Sequence, residues 1–143
     1  MQLANNTVVL VADGRKLLFL RNDGDAQYPN LTVEVAEEQS NPANRDQATD
    51  AAGRASSTTG SSVEPTDFHQ LEEDRFAADA AAMLKTRALK NDFEKLIIIA
   101  PPKTLGELRK HYHKEVESRL TGELAKDLTG HTIPDITAAI KAA

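Results

Sequence analysis

Asp13 ends the apolar run Thr7–Ala12, and a carboxylate at the end of a strand can help to hold a divalent cation. Two-metal hydrolysis needs several carboxylates converging on cations about 3.5 to 4 Å apart, and the aliphatic run Leu96–Ala100 supplies none. Asp13 also precedes Gly14, and Asp-Gly between two apolar runs is a hairpin signal. The expectation is therefore a turn residue, with a hydrolase using Asp13 as the alternative. His111 and His113 are two apart, which on a helix turns their side chains about 200° from each other, so both cannot reach one ion. His69 and His131 have no ligand spacing around them, and neither a metal nor a cofactor is expected. Lys103, Arg109, Lys110, Lys114, Arg119 and Lys126 outnumber Glu107, Glu115, Glu117 and Glu123, a local positive excess in an acidic chain. Lys103, Arg109 and Lys110 together suggest a small anion-binding surface; a solvated helix face is the plainer account. Gly53-Arg54 adds a planar guanidinium suited to phosphate, in a stretch with little other context. The chain contains no G-x-S-x-G, no Walker loop and no dinucleotide fingerprint, so the common nucleophile and nucleotide sites have no support.

These residues sit in a chain of 143 residues, the size of one core. Hydrophobic residues are 40% and aromatic ones 4% with no Trp, so Leu, Ile, Val and Ala must fill the interior. The formal charge of -5 repels nucleic acid and anionic membrane at long range, and either kind of binding would need a local patch. The absence of Cys excludes a disulfide framework and thiolate zinc. The first apolar run is cut by Asp13, Gly14, Arg15 and Lys16, so neither a signal peptide nor membrane insertion is expected, and a cytoplasmic location follows.

The runs Thr7–Ala12 and Lys16–Leu20 read as an antiparallel pair, and the alternation of Leu31–Val35 reads as a third strand. From Ser40 to Thr66 the only large aliphatic residue is Val63, too little to offset roughly 1 to 2 kcal/mol of backbone ordering per residue. A mobile loop over 40–66 is expected, and loops so long are functional or disordered. Asp67 and Gln70 have capping-box spacing, and Phe76, Ala80, Met83, Leu84 and Ala88 share one face of a helix running from about Asp67 to Leu89. Leu96–Ala100 reads as a central strand covered on both faces. Thr104 and Glu107 form a second capping-box signature, and Leu105, Leu108, Tyr112, Val116 and Leu120 predict one helix with a buried stripe. Glu123–Leu128 is a candidate fifth strand, and Thr132, Pro134, Ile136 and Ile140 predict a terminal helix. The expected order is β-β-β-α-β-α-β-α: a single α/β domain over 1–143, a ribonuclease H-like mixed sheet with helices on both faces.

Three stretches, VVLVADGRKLLFLRN, RFAADAAAMLKTRALKNDFEKLIIIAPPKTLGELRKH and ELAKDLTGH, resemble blocks of the bacterial family called "protein required for attachment to host cells". Ala100–Arg109 and Lys126-Asp127-Leu128-Thr129 are the most specific parts. That family resembles the middle domain of eukaryotic and archaeal class I translation release factors, in which the segment between the third strand and the long helix carries a Gly-Gly-Gln tripeptide that promotes peptidyl-tRNA hydrolysis. Here that segment offers Ala51-Ala52-Gly53-Arg54-Ala55-Ser56-Ser57, so hydrolytic termination is not carried over. The resemblance implies a non-enzymatic binding module that contacts RNA, the ribosome or a protein partner. The expected contacts are Asp13, Arg15, Gly53, Arg54, Lys103, Arg109, Lys110, Lys126 and Asp127. An indirect role in bacterial attachment to host cells is the alternative that the family's label carries.

Overall fold

The computed structural model describes residues 1–39 and 65–143; Gly53, Arg54 and most of the expected 40–66 loop lie outside the described residues. The chain runs β1 (Val8–Ala12), β2 (Lys16–Asn22), β3 (Leu31–Glu38), α1 (Pro65–Leu89), β4 (Leu96–Ala100), α2 (Pro102–Arg109), α3 (Lys114–Glu117), β5 (Leu120–Ala125) and α4 (Ile133–Ala142). The strands form one mixed sheet in the order β3-β2-β1-β4-β5. β2 is antiparallel to β1 and β3, whereas β1, β4 and β5 are mutually parallel. β1, β3, β4 and β5 therefore all end at the same edge of the sheet, called here the carboxyl edge.

β1 and β4 are buried at every position, as expected for an aliphatic run covered on both faces. The period of two sends Leu10 and Ile98 to one face, where Phe76 and Leu84 of α1, Leu105 of α2 and Val116 of α3 cover them. It sends Val9, Val11, Ile97 and Ile99 to the other face, under Ile136 and Ile140 of α4 and Leu3. Ala77, Ala80, Ala81 and Ala88 let α1 lie close to the sheet. Asn91 ends α1 in the left-handed region (φ 57°), with the Asp92 amide returning to the Arg87 carbonyl at 3.0 Å and the Asn91 amide to the Ala88 carbonyl at 2.9 Å. This is a Schellman closure, which asparagine tolerates better than most residues.

Beside that closure an ion-pair network ties three elements together. Arg21 of β2 reaches Glu34 of β3 at 2.7 Å and Asp92 at 3.3 Å. Arg87 of α1 reaches Asp92 at 2.7 Å and also pairs with Glu34, while its guanidinium carbon lies 4.6 Å from the centre of the Phe19 ring. Burial pushes the Glu34 carboxyl up, but the hydrogen bonds and charges of Arg21 and Arg87 outweigh that and hold it below the usual range.

Between β4 and β5 the structure departs from the expected continuous helix. α2 stops at Arg109, and a separate short helix, α3, begins at Lys114 with His113 as its cap. Leu105, Leu108 and Val116 do share the core, so the period placed the buried stripe correctly. A periodic stripe is equally satisfied by two helical pieces that each face inward, and it carries no signal for the break. Thr104 does not cap α2, which starts earlier at Pro102 after Pro101, with no side-chain cap. Proline in the first turn lacks only an amide that would be unpaired anyway, so the Pro-Pro pair outcompetes the capping box. β5 lies at Leu120–Ala125 and not at Glu123–Leu128, because Leu120, the last residue of the expected stripe, pairs with Leu96. α1 starts at Pro65, two residues before the expected Asp67.

Replacing the fully buried Ile98 with Ala is expected to cost about 2 to 5 kcal/mol, read as a lower denaturant midpoint. An unchanged midpoint would contradict the two-sided burial of β4. Because the folded Glu34 titrates below its unfolded value of about 4.3, its contribution is complete above that pH and is lost as pH falls through the depressed folded value. Glu34→Gln is thus expected to be less stable than the parent at neutral pH, and the gap should narrow on acidification. A gap that is constant from neutral to acid pH would show that the network does not stabilise the fold through the Glu34 charge.

Candidate functional site

The carboxyl edge gathers most of the expected contact residues. Asp13 follows β1, Lys103 lies in the first turn of α2 just after β4, and Lys126 and Asp127 follow β5. Asp13 organises this edge. Its Oδ1 accepts the amides of Arg15 and Lys16, both at 2.7 Å, which is the hairpin role expected of Asp-Gly. Its Oδ2 accepts the Thr129 hydroxyl at 2.6 Å, so one carboxylate links the β1–β2 turn to the segment between β5 and α4. Thr129 belongs to the Lys126–Thr129 motif but was absent from the expected contact residues, since no spacing rule joins it to a residue so far away in sequence.

The same edge holds both flanks of the segment between β3 and α1. The Gln39 amide donates to the Arg15 carbonyl at 2.7 Å, and the Gln39 side chain donates to Glu72 of α1 at 2.9 Å. Gly14 lies so close to Glu73 that a Cβ there would come within 2.8 Å of its carboxyl carbon. Glu72 and Glu73 mark where α1 passes the edge. The seven helical residues before Glu72 extend about 10 Å beyond it at 1.5 Å each.

Arg109 and Lys110 are placed differently from the other candidates. They lie at the far end of α2 and are already occupied: Arg109 forks onto Glu123 of β5 at 2.9 and 3.1 Å, and Lys110 meets Glu107 at 2.9 Å. The Tyr112 hydroxyl donates to the same Glu123 at 2.8 Å. Burial, followed by the Glu123 hydrogen bond and charge, pushes the Tyr112 phenol far above its ordinary value, so it stays a donor. Burial pushes Glu123 up as well, but the hydrogen bonds from Arg109 and Tyr112 hold it below the usual carboxylate range. An incoming anion would have to compete with these carboxylates. Arg15, Lys103 and Lys126, by contrast, are exposed and make no ion pair among the described residues.

The histidines are taken up locally. His113 Nδ1 accepts the Glu115 amide at 3.0 Å, His111 lies 3.7 Å from Glu107, His131 lies 3.7 Å from Asp135, and His69 stacks edge-on against Phe68. Among the described residues no three His, Asp or Glu side chains are grouped so as to hold a metal ion. Both oxygens of Asp13 accept hydrogen bonds, two at Oδ1 and one at Oδ2.

Thr129→Val is expected to cost about 1 kcal/mol, below the range for a fully buried hydrogen bond to a charge because this pair is partly open to water. Asp13→Ala, which also removes the turn acceptor, should cost more. Chemical denaturation checks both, and equal midpoints for the parent and the two variants would contradict the link.

Two comparisons with known proteins bear on this arrangement. A Rickettsia prowazekii (strain Madrid E) protein described as uncharacterised, RP470, is 35% identical over 87 residues, covering 59% of this chain and 58% of that protein. The chain thus spans a little over half the length of that relative. Residues 6–140 match the model of the bacterial archaeo-eukaryotic release factor family 12, a span that takes in every described strand and nearly all of α4. With nearly the whole chain matched, and with a mixed sheet whose third strand and long helix flank one segment at the carboxyl edge, this protein belongs to bacterial archaeo-eukaryotic release factor family 12.

Proposed function

We propose that this chain is a cytoplasmic, non-enzymatic binding module of release-factor-like architecture that engages the translation machinery, as RNA, ribosome or an associated protein, through its carboxyl edge. One observation carries the reading: the segment that bears Gly-Gly-Gln in the class I release factors leaves β3 at the edge where Asp13, Arg15, Lys103, Lys126 and Asp127 lie, and the helix that follows it, α1, passes the same edge at Glu72. In this chain that segment has Gly53-Arg54 and no Gly-Gly-Gln. The position for presenting a segment to a partner is kept, while the residues for peptidyl-tRNA hydrolysis are not. The sheet order β3-β2-β1-β4-β5 with β2 antiparallel supports the ribonuclease H-like assignment. No helix among the described residues is long and apolar enough to cross a membrane. A role in attachment to host cells, the label carried by the sequence resemblance, would then be indirect and would act through a partner inside the cell.

The purified protein, added to stop-codon-programmed ribosomes, is expected to release no peptide above a no-protein control. Release that disappears on changing Gly53 or Arg54 to Ala would contradict the binding-module reading. Partner association is read by sedimentation of native lysate with and without RNase. A ribosomal or RNA-dependent fraction that collapses on Lys126→Glu or Arg15→Glu supports the edge, whereas association unaffected by either variant places the contact elsewhere. Deletion of Asn44–Ser61 should leave the fold intact, since a roughly threefold shortening of a flexible loop changes closure entropy by only about 1 kcal/mol, and should abolish that association.

A further inference from the structure

On the side of the sheet covered by α4, the connection from β2 to β3 is built with more structure than a simple turn needs. Asn22 is buried and its amide ties this connection to the N-terminal segment: Oδ1 accepts the Gly24 and Asn30 amides at 3.0 and 2.8 Å, and Nδ2 donates to the Leu3 and Ala4 carbonyls at 2.9 and 3.1 Å. Asp25 Oδ1 accepts the Gln27 and Tyr28 amides at 3.0 and 2.7 Å. Gly24 admits no side chain, because a Cβ would lie 2.2 Å from the Tyr28 carbonyl oxygen. These contacts fix a loop that carries Tyr28, 73% exposed and with no hydrogen-bond partner for its hydroxyl among the described residues. A rigidly presented tyrosine loses little freedom on association and is a common anchor of protein interfaces.

Next to this tyrosine lies a groove of about 420 Å³ lined by Pro29, Leu31, Ile133, Pro134, Ala138 and Lys141. It exists because α4 turns Ile136 and Ile140 into the core, leaving Pro134 and Ala138 outward beside the start of β3. An aromatic projection and an apolar groove thus lie side by side on one surface, which is what a self-complementary twofold contact requires. Charge favours a second copy of the chain as the occupant. The projecting loop carries Asp23 and Asp25, both exposed, while among the described residues the one charged side chain lining the groove is Lys141. Most pairings of two chains that each carry a charge of -5 are repulsive, whereas a pairing that sets the acidic loop of one copy against the lysine of the other is attractive at that contact. We propose that two copies of this chain form a twofold dimer in which each inserts Tyr28 into the groove along α4 of the other.

Sedimentation velocity of the purified chain across the micromolar range tests this. The parent should pass from monomer to dimer in that range. Tyr28→Ala, which removes the projection, and Ala138→Arg, which fills the groove, should each weaken dimerisation at least about tenfold, the loss expected of an anchor residue. Both positions are exposed, and unchanged circular dichroism and melting would confirm that the variants fold. Mixing the two variants restores one of the two insertions, so a mixed dimer should form where neither variant dimerises alone. A parent that stays monomeric throughout the range overturns the proposal. So does a dimer that survives both substitutions, since its interface would then lie elsewhere. Because neither residue is at the carboxyl edge, the dimer can fail while lysate association persists, and the reverse.

Discussion

The parallel pairing of β1 with β4, buried on both faces along its length, is the constraint from which the other features follow. A strand pair that shows no face to water needs a helical layer on each side, and the two-residue period of the two five-residue apolar runs divides the core into its two halves. Fixing β1 and β4 in parallel also fixes where their ends emerge, and β5 joins them in the same direction. Asp13, Lys103 and Lys126 are far apart in sequence yet reach one edge because three strands end there. The Asp13–Thr129 bond then holds two of those exits in place relative to each other.

Charge is used very differently in different parts of the molecule. Of the arginines among the described residues, Arg21, Arg75, Arg87, Arg109 and Arg119 each meet a carboxylate of the same chain. Arg21, Arg87 and Arg119 have largely covered side chains and tie elements together, as when Arg119 reaches the Phe93 carbonyl at 3.0 Å. Arg15 at the carboxyl edge has no such partner among the described residues, and neither do Lys103 and Lys126. A guanidinium held by a neighbouring carboxylate offers a ligand only a competition, whereas an exposed, unpaired one offers its full donor set. On these grounds the proposed binding surface is the edge, and within the Lys103–Lys114 stretch Arg109 and Lys110 are occupied by carboxylates while Lys103 and Lys114 make no ion pair among the described residues.

Much of the fold was legible in the sequence wherever local chemistry and periodicity agreed. The Asp-Gly hairpin, the aliphatic β4 and the Thr132-Pro134 start of α4 each carry a strong local signal, and Thr132 does accept the Asp135 amide at 3.2 Å. The break between α2 and α3 was not legible, because the buried stripe continues through it and a histidine cap at His113 has no distinctive signature. β5 was displaced for a related reason, since Leu120 satisfies both a helical stripe and a strand pairing. Within the site, Asp13 was recognised as a turn residue from its neighbours alone. Its bond to Thr129, the pairing of Arg109 with Glu123, and the capture of Gln39 by Glu72 and Arg15 all depend on tertiary proximity. Charge counting along the chain treated Arg109 and Lys126 alike, and only the structure separates an occupied cation from an open one.

The central claim, that this release-factor-type domain meets its partner with the carboxyl edge, is tested most directly by site-specific photocrosslinking in cells. A photoreactive residue is placed at Lys126 on that edge and, in a parallel strain, at Lys95, which precedes β4 at the opposite end of the sheet. Both positions are exposed, so neither replacement disturbs the core. The account predicts a defined adduct from position 126 and none from position 95. An adduct of the same partner from position 95 alone would contradict it.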